Sequence, residues 1–333
     1  MTVRPLVSVV IPTRDRRRLV SRALRSALGQ QGVEVQVVVV DDASTDGTAG
    51  HVRSLGDRRV TVVSQPEARG VAVARNIGLR RATAPWVAFL DDDDVWAPTK
   101  LSAQLQVLAD NPSARWACTD AVLVDPELRI MGPQAGPQVA NLADSLLARN
   151  VIPGGASAVM CATDLLDELG GFDVELSSLA DWDLWIRLAL VSPTVCARAP
   201  LVAYRVHPGA MAHDVDRAEA DLHHIIGKYR DERAARHVEL DDAFWLWYFA
   251  QLHLRAGRRW AAARCQSRLA WSHRQHRRWP LVAVGLAWPG VQSVRDRHGG
   301  ARMPPAWRDA TEGWLAPLRA MPDDVDGSDG PPP

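Results

Sequence analysis

The chain has 333 residues, enough for one large domain with an appendage or for two domains. Its 39 Lys and Arg balance 39 Asp and Glu, so charge points to neither a nucleic-acid partner nor an acidic interaction tail. The four Cys, at 118, 161, 196 and 265, show no CxxC spacing and read as reduced thiols, not a disulfide frame or a zinc site.

Residues 7–11 read as a short buried strand closed by Pro12-Thr13-Arg14. Apolar residues at 19, 20, 23, 24, 27 and 28 then form a helical stripe, with Gly29 as its C-cap. Residues 35–40 are almost all β-branched, as in a parallel strand covered on both faces. That run ends in Asp41-Asp42, and Ala43-Ser-Thr-Asp-Gly47 reads as a turn capping the next helix. Residues 60–63 form a third strand, 69–82 a helix containing Gly70 and Gly78, and 87–90 a fourth strand. The fourth strand runs into Asp91-Asp-Asp-Asp94. Four adjacent carboxylates repel one another, and only loop-tip solvation or a divalent cation on oxygen ligands removes that cost at the rim of a core.

Strands alternating with helices indicate a parallel α/β sheet, whose ligands collect at the carboxyl ends of the strands. Thr13-Arg14, Asp41-Asp42 and Asp91–Asp94 are three such ends, opening on one edge. Beyond them, 98–109 reads as a helix, and 115–119, 121–124 and 129–131 as a small antiparallel excursion. Residues 132–138 read as a loop over the site, 141–149 as a helix, 152–155 as a turn and 158–161 as a strand. Gly170-Gly-Phe-Asp173 reads as a turn, and 181–191 as a helix with Trp182, Trp185, Ile186 and Ala189 on one face. Strands at 195–197 and 201–206 close this part. From 217 onward the pattern is helical, over 218–236, 241–256 and 258–272, and 321–333 reads as a disordered tail. The expected domains are thus 1–214, a helical accessory region at 215–320, and the tail.

The run at 7–11 is too short for a signal peptide and stops at Pro12, and 280–291 falls short of the roughly 20 residues of a spanning helix. The expected location is therefore cytoplasmic. Between Arg255 and Arg308 lie twelve Arg and one acid, Asp296, and eight of the thirteen Trp lie from Trp245 onward. This basic, Trp-rich stretch at 255–308 has three readings: a wall of an acceptor pocket, a surface for anionic lipid that makes the protein peripheral to the membrane, or a protein interface.

Val7-Ser-Val-Val-Ile-Pro-Thr13, Val-Val-Asp41-Asp-Ala-Ser-Thr-Asp-Gly-Thr48, Ala74-Arg-Asn-Ile-Gly78 and Phe89-Leu-Asp-Asp-Asp-Asp94 together resemble the family 2 glycosyltransferases. Gly170-Gly-Phe-Asp173, Asp181-Trp-Asp-Leu-Trp-Ile-Arg187 and Tyr204-Arg-Val-His207 continue the match in order, over roughly residues 5–210. The resemblance implies a GT-A fold: a Rossmann-like, mostly parallel sheet flanked by helices, here followed by the C-terminal helical region. It also implies inverting transfer of a sugar from a nucleotide-diphosphate donor to an acceptor hydroxyl, borne by a saccharide, a lipid-linked species or a small molecule. Mn²⁺ or Mg²⁺ would neutralise the leaving diphosphate.

Carried onto this chain, Asp93 matches the metal-binding position, with overlapping registers because four Asp are consecutive. Asp91 or Asp92 would face the ribose or a metal-bound water. Asp42 matches the carboxylate that reads the base, and its alternative is a helix-capping turn. Pro12, Thr13 and Arg14 lie where nucleotide or diphosphate touches the first strand end. Arg75 would reach the diphosphate or pair with the Asp run, and Asn76 would hold backbone. Asp181 matches the general base, with N-capping as its alternative; Ala180 stands where the family often has Glu. Trp182 and Trp185 line the acceptor site or pack the core. His207 is a candidate metal or diphosphate contact.

Gln275-His-Arg-Arg-Trp279 spells a motif of membrane-bound processive synthases, but it lies 94 residues beyond Asp181 with no transmembrane helices around it, and reads as chance. Two other readings compete. One is a nucleotidyltransferase, which would want a Gly-rich, Lys-bearing phosphate loop where Pro12-Thr-Arg-Asp-Arg16 stands. The other is a catalytically degenerate sugar-nucleotide-binding scaffold, motivated by Ala180.

Overall fold

The computed structural model describes residues 6–207, 214–272 and 303–320. The tail at 321–333, the apolar run at 280–291 and the 275–279 motif lie outside these residues. Nine strands form one sheet, with β1 (Leu6–Thr13), β2 (Glu34–Asp41), β3 (Val60–Ser64) and β4 (Trp86–Phe89) on one side. These four run parallel, in the order β3-β2-β1-β4. Val7, Val9, Val10, Ile11 and Val37–Val40 are fully buried, which is why these strands are apolar runs and not alternating patterns. The helices between them are α1 (Arg17–Leu28), α2 (Thr48–Ser54) and α3 (Val71–Leu79). α3 lies against β1 so closely that a Cβ on Gly78 would run into the Val10 side chain.

The sheet then becomes mixed, where the alternation predicts a parallel one. β8 (Met160–Ala162) pairs antiparallel with both β4 and β6 (Trp116–Val124). β6 in turn runs parallel to β9 (Thr194–Arg205), and β9 antiparallel to β5 (Val95–Trp96). β7 (Ile130–Gln134) hangs off β6, so the expected loop at 132–138 begins as strand. The segments expected at 115–119 and 121–124 are one strand, as are those at 195–197 and 201–206. Register shifts around Asp120 let both strands continue through the irregular stretch.

Helices α4 (Lys100–Ala109), α5 (Leu142–Ala148), α6 (Thr163–Glu168) and α7 (Ala180–Val191) flank this half. The helix expected over 218–236 is two, α8 (Val215–Lys228) and α9 (Arg230–Arg236), broken at Tyr229. α10 (Asp242–Arg255) and α11 (Arg259–Ser272) form a helical hairpin. A last helix, α12 (Pro305–Arg319), was not expected from the pattern and packs Leu315 and Leu318 on Val95, Val122 and Ala203.

The helical region shares the main core. Val215, Ala218, Ile225, Trp245 and Phe249 are buried in the same cluster as the sheet. Trp182 and Trp245 face each other with ring centroids 4.7 Å apart. Their indole N–H groups donate to neighbouring carbonyls of α5, Trp182 to Leu146 (2.7 Å) and Trp245 to Ala148 (3.2 Å). Polar ties add to this. Asp221 of α8 accepts from the backbone N–H of Ser177 and of Leu179, each at 3.0 Å, and so holds the turn that leads into α7. Asp183, fully buried in α7, accepts from Arg187, from the Tyr229 hydroxyl at 2.7 Å and from Lys228 at 2.8 Å. Lys228 also reaches Asp173 of the Gly-Gly-Phe-Asp turn at 2.6 Å.

Candidate active site

Each of the four consecutive carboxylates after β4 has a different partner. Asp91 takes the Arg75 guanidinium at 2.5 Å, while its backbone N–H donates to Ser157 Oγ. Arg75 is buried, rests 5.1 Å from the Phe172 ring centroid, and sits on α3 where the tight packing at Gly78 fixes it. Asp92 and Asp93 share one guanidinium nitrogen: Arg16 Nη1 donates to both at 2.8 Å. The Thr13 hydroxyl also faces Asp92. His207 Nε2 lies 2.9 Å from the Asp93 oxygen that Arg16 holds. Asp94 is fully buried and accepts from Ser157 Oγ (2.6 Å) and the Arg205 backbone N–H (2.9 Å), so both its oxygens are occupied within the fold.

The electrostatics separate these groups. Burial and then the Asp93 charge push Asp92 up to about 7. Burial acts on Asp93 too, but the His207 hydrogen bond and the Arg16 charge outweigh it and leave Asp93 below the usual carboxylate range. Asp94 is raised by burial, with Asp93 and Asp91 adding to it. A pair of carboxylates with one proton affinity raised and the other lowered is the expected outcome when like charges share a site.

Across from this run stands a 3-10 turn at Gly155–Ala158. Ser157 in that turn supplies the hydroxyl that ties Asp91 and Asp94 together. At Gly155 (φ +53°) a Cβ would lie 3.6 Å from Asp181 Oδ2, 3.8 Å from the Tyr204 ring and 4.0 Å from Asp91 Oδ2. The two carboxylates and the tyrosine therefore converge on one point, kept open because residue 155 has no side chain. Asp181 is the second residue of α7 and has no ion pair among the described residues; its Oδ1 accepts from the next backbone N–H, of Trp182, at 2.7 Å. Burial raises Asp181 to about 6 against the lowering effect of Arg75. Tyr248 of α10 comes to the same place: burial and then the Asp181 charge push its phenol up to about 12.

Most of the residues expected at a site meet here: Thr13, Arg75, Asp91, Asp92, Asp93, Asp181 and His207. Pro12 and Thr13 end β1 at this edge. Arg14 does not join them. Its side chain is 58% exposed and lies 3.7 Å from Asp15, because positive φ at Asp15 (+50°) turns the chain and delivers Arg16 inward instead. Asp42 follows β2 and is buried, with Gln65 Nε2, Arg69 N and Gly70 N each donating to it at 2.8 Å. Its carboxylate thus anchors the loop before α3. Asn76 holds backbone, exchanging two 2.8 Å bonds with Phe172. Trp182 and Trp185 are fully buried, and Trp185 stacks on Trp116 at 6.2 Å; they pack the core and line no acceptor site. Arg16, Ser157, Gly155 and Tyr248 were not singled out from sequence. Only Gly154-Gly155, a place where positive φ costs nothing, carried a local signal.

The chemistry of the donor set suits Mg²⁺ or Mn²⁺, since hard carboxylate oxygens stand on a strand edge with an imidazole behind them. Among the described residues no three His, Cys, Asp or Glu side chains form a ready cage.

A parallel sheet with this edge turning into an antiparallel half is the GT-A arrangement, and solved structures share it. A mannosyltransferase of Pyrobaculum calidifontis, solved with GDP-Man and Mn²⁺, matches with TM-score 0.53 and 22% identity over 95% of this chain and 86% of its own. Residues 8–140 match the glycosyl transferase family 2 model, so this N-terminal part of the chain is similar to that family. A glycosyltransferase of Haemophilus influenzae is 29% identical over 185 residues, 55% of this chain and 62% of the relative. The UDP-Glc:α-D-GlcNAc-diphosphoundecaprenol β-1,3-glucosyltransferase WfaP of Escherichia coli is 26% identical over 210 residues, 62% of this chain and 80% of the relative. The chain thus spans less than two thirds of the first of these relatives.

Proposed function

We propose that the chain transfers a sugar, with inversion, from a nucleotide-diphosphate donor to an acceptor hydroxyl, assisted by a divalent metal. The observation that carries this reading is the meeting of Asp91, Arg75 and Asp181 around Gly155, at the carboxyl edge of a parallel sheet. Asp93 and its neighbour Asp92 would hold Mn²⁺ or Mg²⁺, with His207 behind Asp93. The metal, when bound, supplies charge stabilisation to the departing diphosphate. Asp94 is out of the running because the fold consumes its oxygens.

In the transfer itself, Asp181 takes the proton of the acceptor hydroxyl while that oxygen bonds to the anomeric carbon. The bond from that carbon to the diphosphate oxygen breaks, and the nucleoside diphosphate leaves with the electron pair. One displacement by one base gives inversion. The start of α7, with its positive helix end, favours the ionised form that a base needs, while burial lifts its proton affinity toward neutrality. Arg75 lies between Asp91 and Asp181 and offers positive charge to the diphosphate.

Nucleotide recognition falls to the β1 and β2 ends, with Pro12 and Thr13 along the phosphates, while the Asp42 carboxylate, taken up by Gln65, Arg69 and Gly70, holds the loop at that edge in place of reading the base. A UDP-sugar donor and a lipid-linked saccharide acceptor are supported by the Escherichia coli relative, which takes UDP-Glc and a diphosphoundecaprenol-linked sugar. No described helix is long and apolar enough to cross a membrane. Contact with a membrane surface instead finds support in α11, where Trp260 and Trp271 are 81% and 77% exposed on a stripe with Arg264 and Arg268.

The test is a thermal-shift screen of UDP-, GDP- and dTDP-sugars with and without Mn²⁺, followed by donor turnover for any sugar that stabilises. Metal-dependent stabilisation that disappears in Asp93→Ala is the expected result. Stabilisation independent of Mn²⁺ and unchanged in Asp93→Ala overturns the metal-assisted reading.

A further inference from the structure

We infer that Cys118 and Cys196 form a dithiol site that a hydroperoxide oxidises to a disulfide within the chain. None of the residues involved belongs to the donor site described above.

The sheet brings the two thiols together. Cys118 of β6 and Cys196 of β9 are direct register partners in a parallel pair, so their side chains leave the same face of the sheet. Register partners on neighbouring strands stand with their Cα atoms about 4.8 Å apart. That spacing lies inside the roughly 4.4–6.8 Å over which a disulfide closes without backbone movement. Both residues are free thiols here. The other two cysteines have no such placement: Cys161 has Val87 and Trp116 as register partners, and Cys265 lies on α11.

The two thiols are not equivalent, and the difference assigns their roles. Cys118 is fully buried, whereas Cys196 is partly exposed. The Cys118 thiol donates to the Cys196 sulfur; this bond, with burial, keeps the proton on Cys118 and lowers the proton affinity of Cys196. A Cβ on Gly136 would stand 2.6 Å from Cys196 Sγ, 2.9 Å from Asp120 Oδ1 and 3.3 Å from Arg198 Nη1, so these groups meet beneath a residue whose missing side chain leaves the sulfur room. Asp120 opposes the thiolate, but the Cys118 bond and the Arg198 charge prevail at Cys196. A partly exposed thiolate beside a cation and a second thiol is the arrangement that peroxides oxidise. The Cys196 sulfur attacks one peroxide oxygen, the O–O bond breaks, and the other oxygen leaves with a proton as water or an alcohol. The Cys118 sulfur then attacks the sulfenic acid on Cys196: the S–S bond forms, the S–O bond breaks, and the departing hydroxide takes the Cys118 proton as water. The thiols are thereby oxidised and the peroxide reduced.

The consequence is readable without turnover or substrate. The intact, folded wild-type chain is treated with hydrogen peroxide, its remaining thiols are alkylated under denaturation, and the digest is read by mass spectrometry. The expected product is a peptide pair joined through Cys118 and Cys196 and separated by dithiothreitol, with Cys161 and Cys265 alkylated. Free Cys196 should disappear about tenfold faster than free Cys265. In Cys118→Ser the oxidation should stop at a sulfenic acid on Cys196 that dimedone captures, and Cys196→Ser should leave Cys118 reduced. The wild-type digest decides the matter alone if either variant fails to fold. Wild-type Cys196 that is oxidised to sulfenic or sulfinic acid with no link to Cys118 overturns the proposal, and so does a disulfide through Cys161 or Cys265 or between two chains. Cys118 and Cys196 both still alkylated after peroxide has oxidised Cys265 overturn it equally.

Discussion

On the strand-edge bank of the cleft every carboxylate of the Asp91–Asp94 run already has a hydrogen-bonded or ionic partner; on the helical bank Asp181 has no ion pair among the described residues. The first bank is a lattice of charges laid down by strand ends. The second is aromatic and apolar packing that holds one carboxylate in place. The contrast teaches that the two halves are built for different chemistry under the proposed transfer: a charge lattice suits an ion and a diphosphate, and an isolated, partly desolvated acid suits proton transfer.

Breaking the helical bank at its functional group should have the largest effect. Asp181→Asn is expected to lower kcat by about 10³-fold, of the order removed with a general base, while nucleotide affinity stays within twofold. Comparable losses in both would merge the two banks and remove the contrast. The pH profile sharpens the same point. A carboxyl raised to about 6 is ionised only above that pH, so kcat/KM should fall on the acid side with a midpoint near 6, and Asp181→Asn should abolish that limb. Stability carries the opposite sign. Between its ordinary 3.8 and about 6 the folded state holds a proton that the unfolded chain releases, so this residue's contribution falls as pH rises through that window. Above it the ionised form is a net cost, and Asp181→Asn should gain on the order of 1 kcal/mol at pH 8 in denaturant melts.

Asp183→Ala, which strips a fully buried charge from Arg187, Lys228 and Tyr229, should cost about 3 kcal/mol of stability, read from the shift in urea midpoint. Asp221→Ala removes the acceptor of two backbone N–H groups in the turn before α7, and a loss of about 1–2 kcal/mol is expected. It should also reduce kcat more than it changes nucleotide affinity; the reverse order would place α7 on the donor side. The smallest effect should come from Gly155→Ala, at about 1 kcal/mol for an L side chain at positive φ. Its new methyl would stand in the gap between Asp181 and Asp91, so acceptor KM should rise even where the melt is little changed.

The strand-edge bank was the more legible in sequence. Val-rich runs announce buried parallel strands, and polar strand ends mark one edge of the sheet, where Thr13 and Asp91–Asp93 lie; Arg75 is assigned to that edge only through the family resemblance. Arg16 could not be told from Arg14, because the difference lies in one backbone torsion at Asp15. Trp182 and Trp185 sit next to a candidate base, and adjacency in sequence says nothing about which side of a helix meets the core. The mixed half of the sheet was harder still. β6 and β9 pair across some 80 residues and bend through irregular register at Asp120, where local pattern breaks each into two pieces. Tyr248 reaches Asp181 only because Trp245, three residues earlier in α10, lies against Trp182, a contact that no periodicity encodes.

The Asp221 and Lys228 contacts have a bearing on how this chain can be divided. Cutting near residue 214 would sever no strand of the sheet, yet it would leave the turn before α7 without its Asp221 anchor and Asp183 without two of its partners. The helical region is therefore not a portable attachment. A chimera that exchanges it for the corresponding part of a relative would need matching residues at Asp173, Ser177 and Asp183 to keep Asp181 in position, and an exchange that ignored them would shift that carboxylate even with every strand-end motif intact.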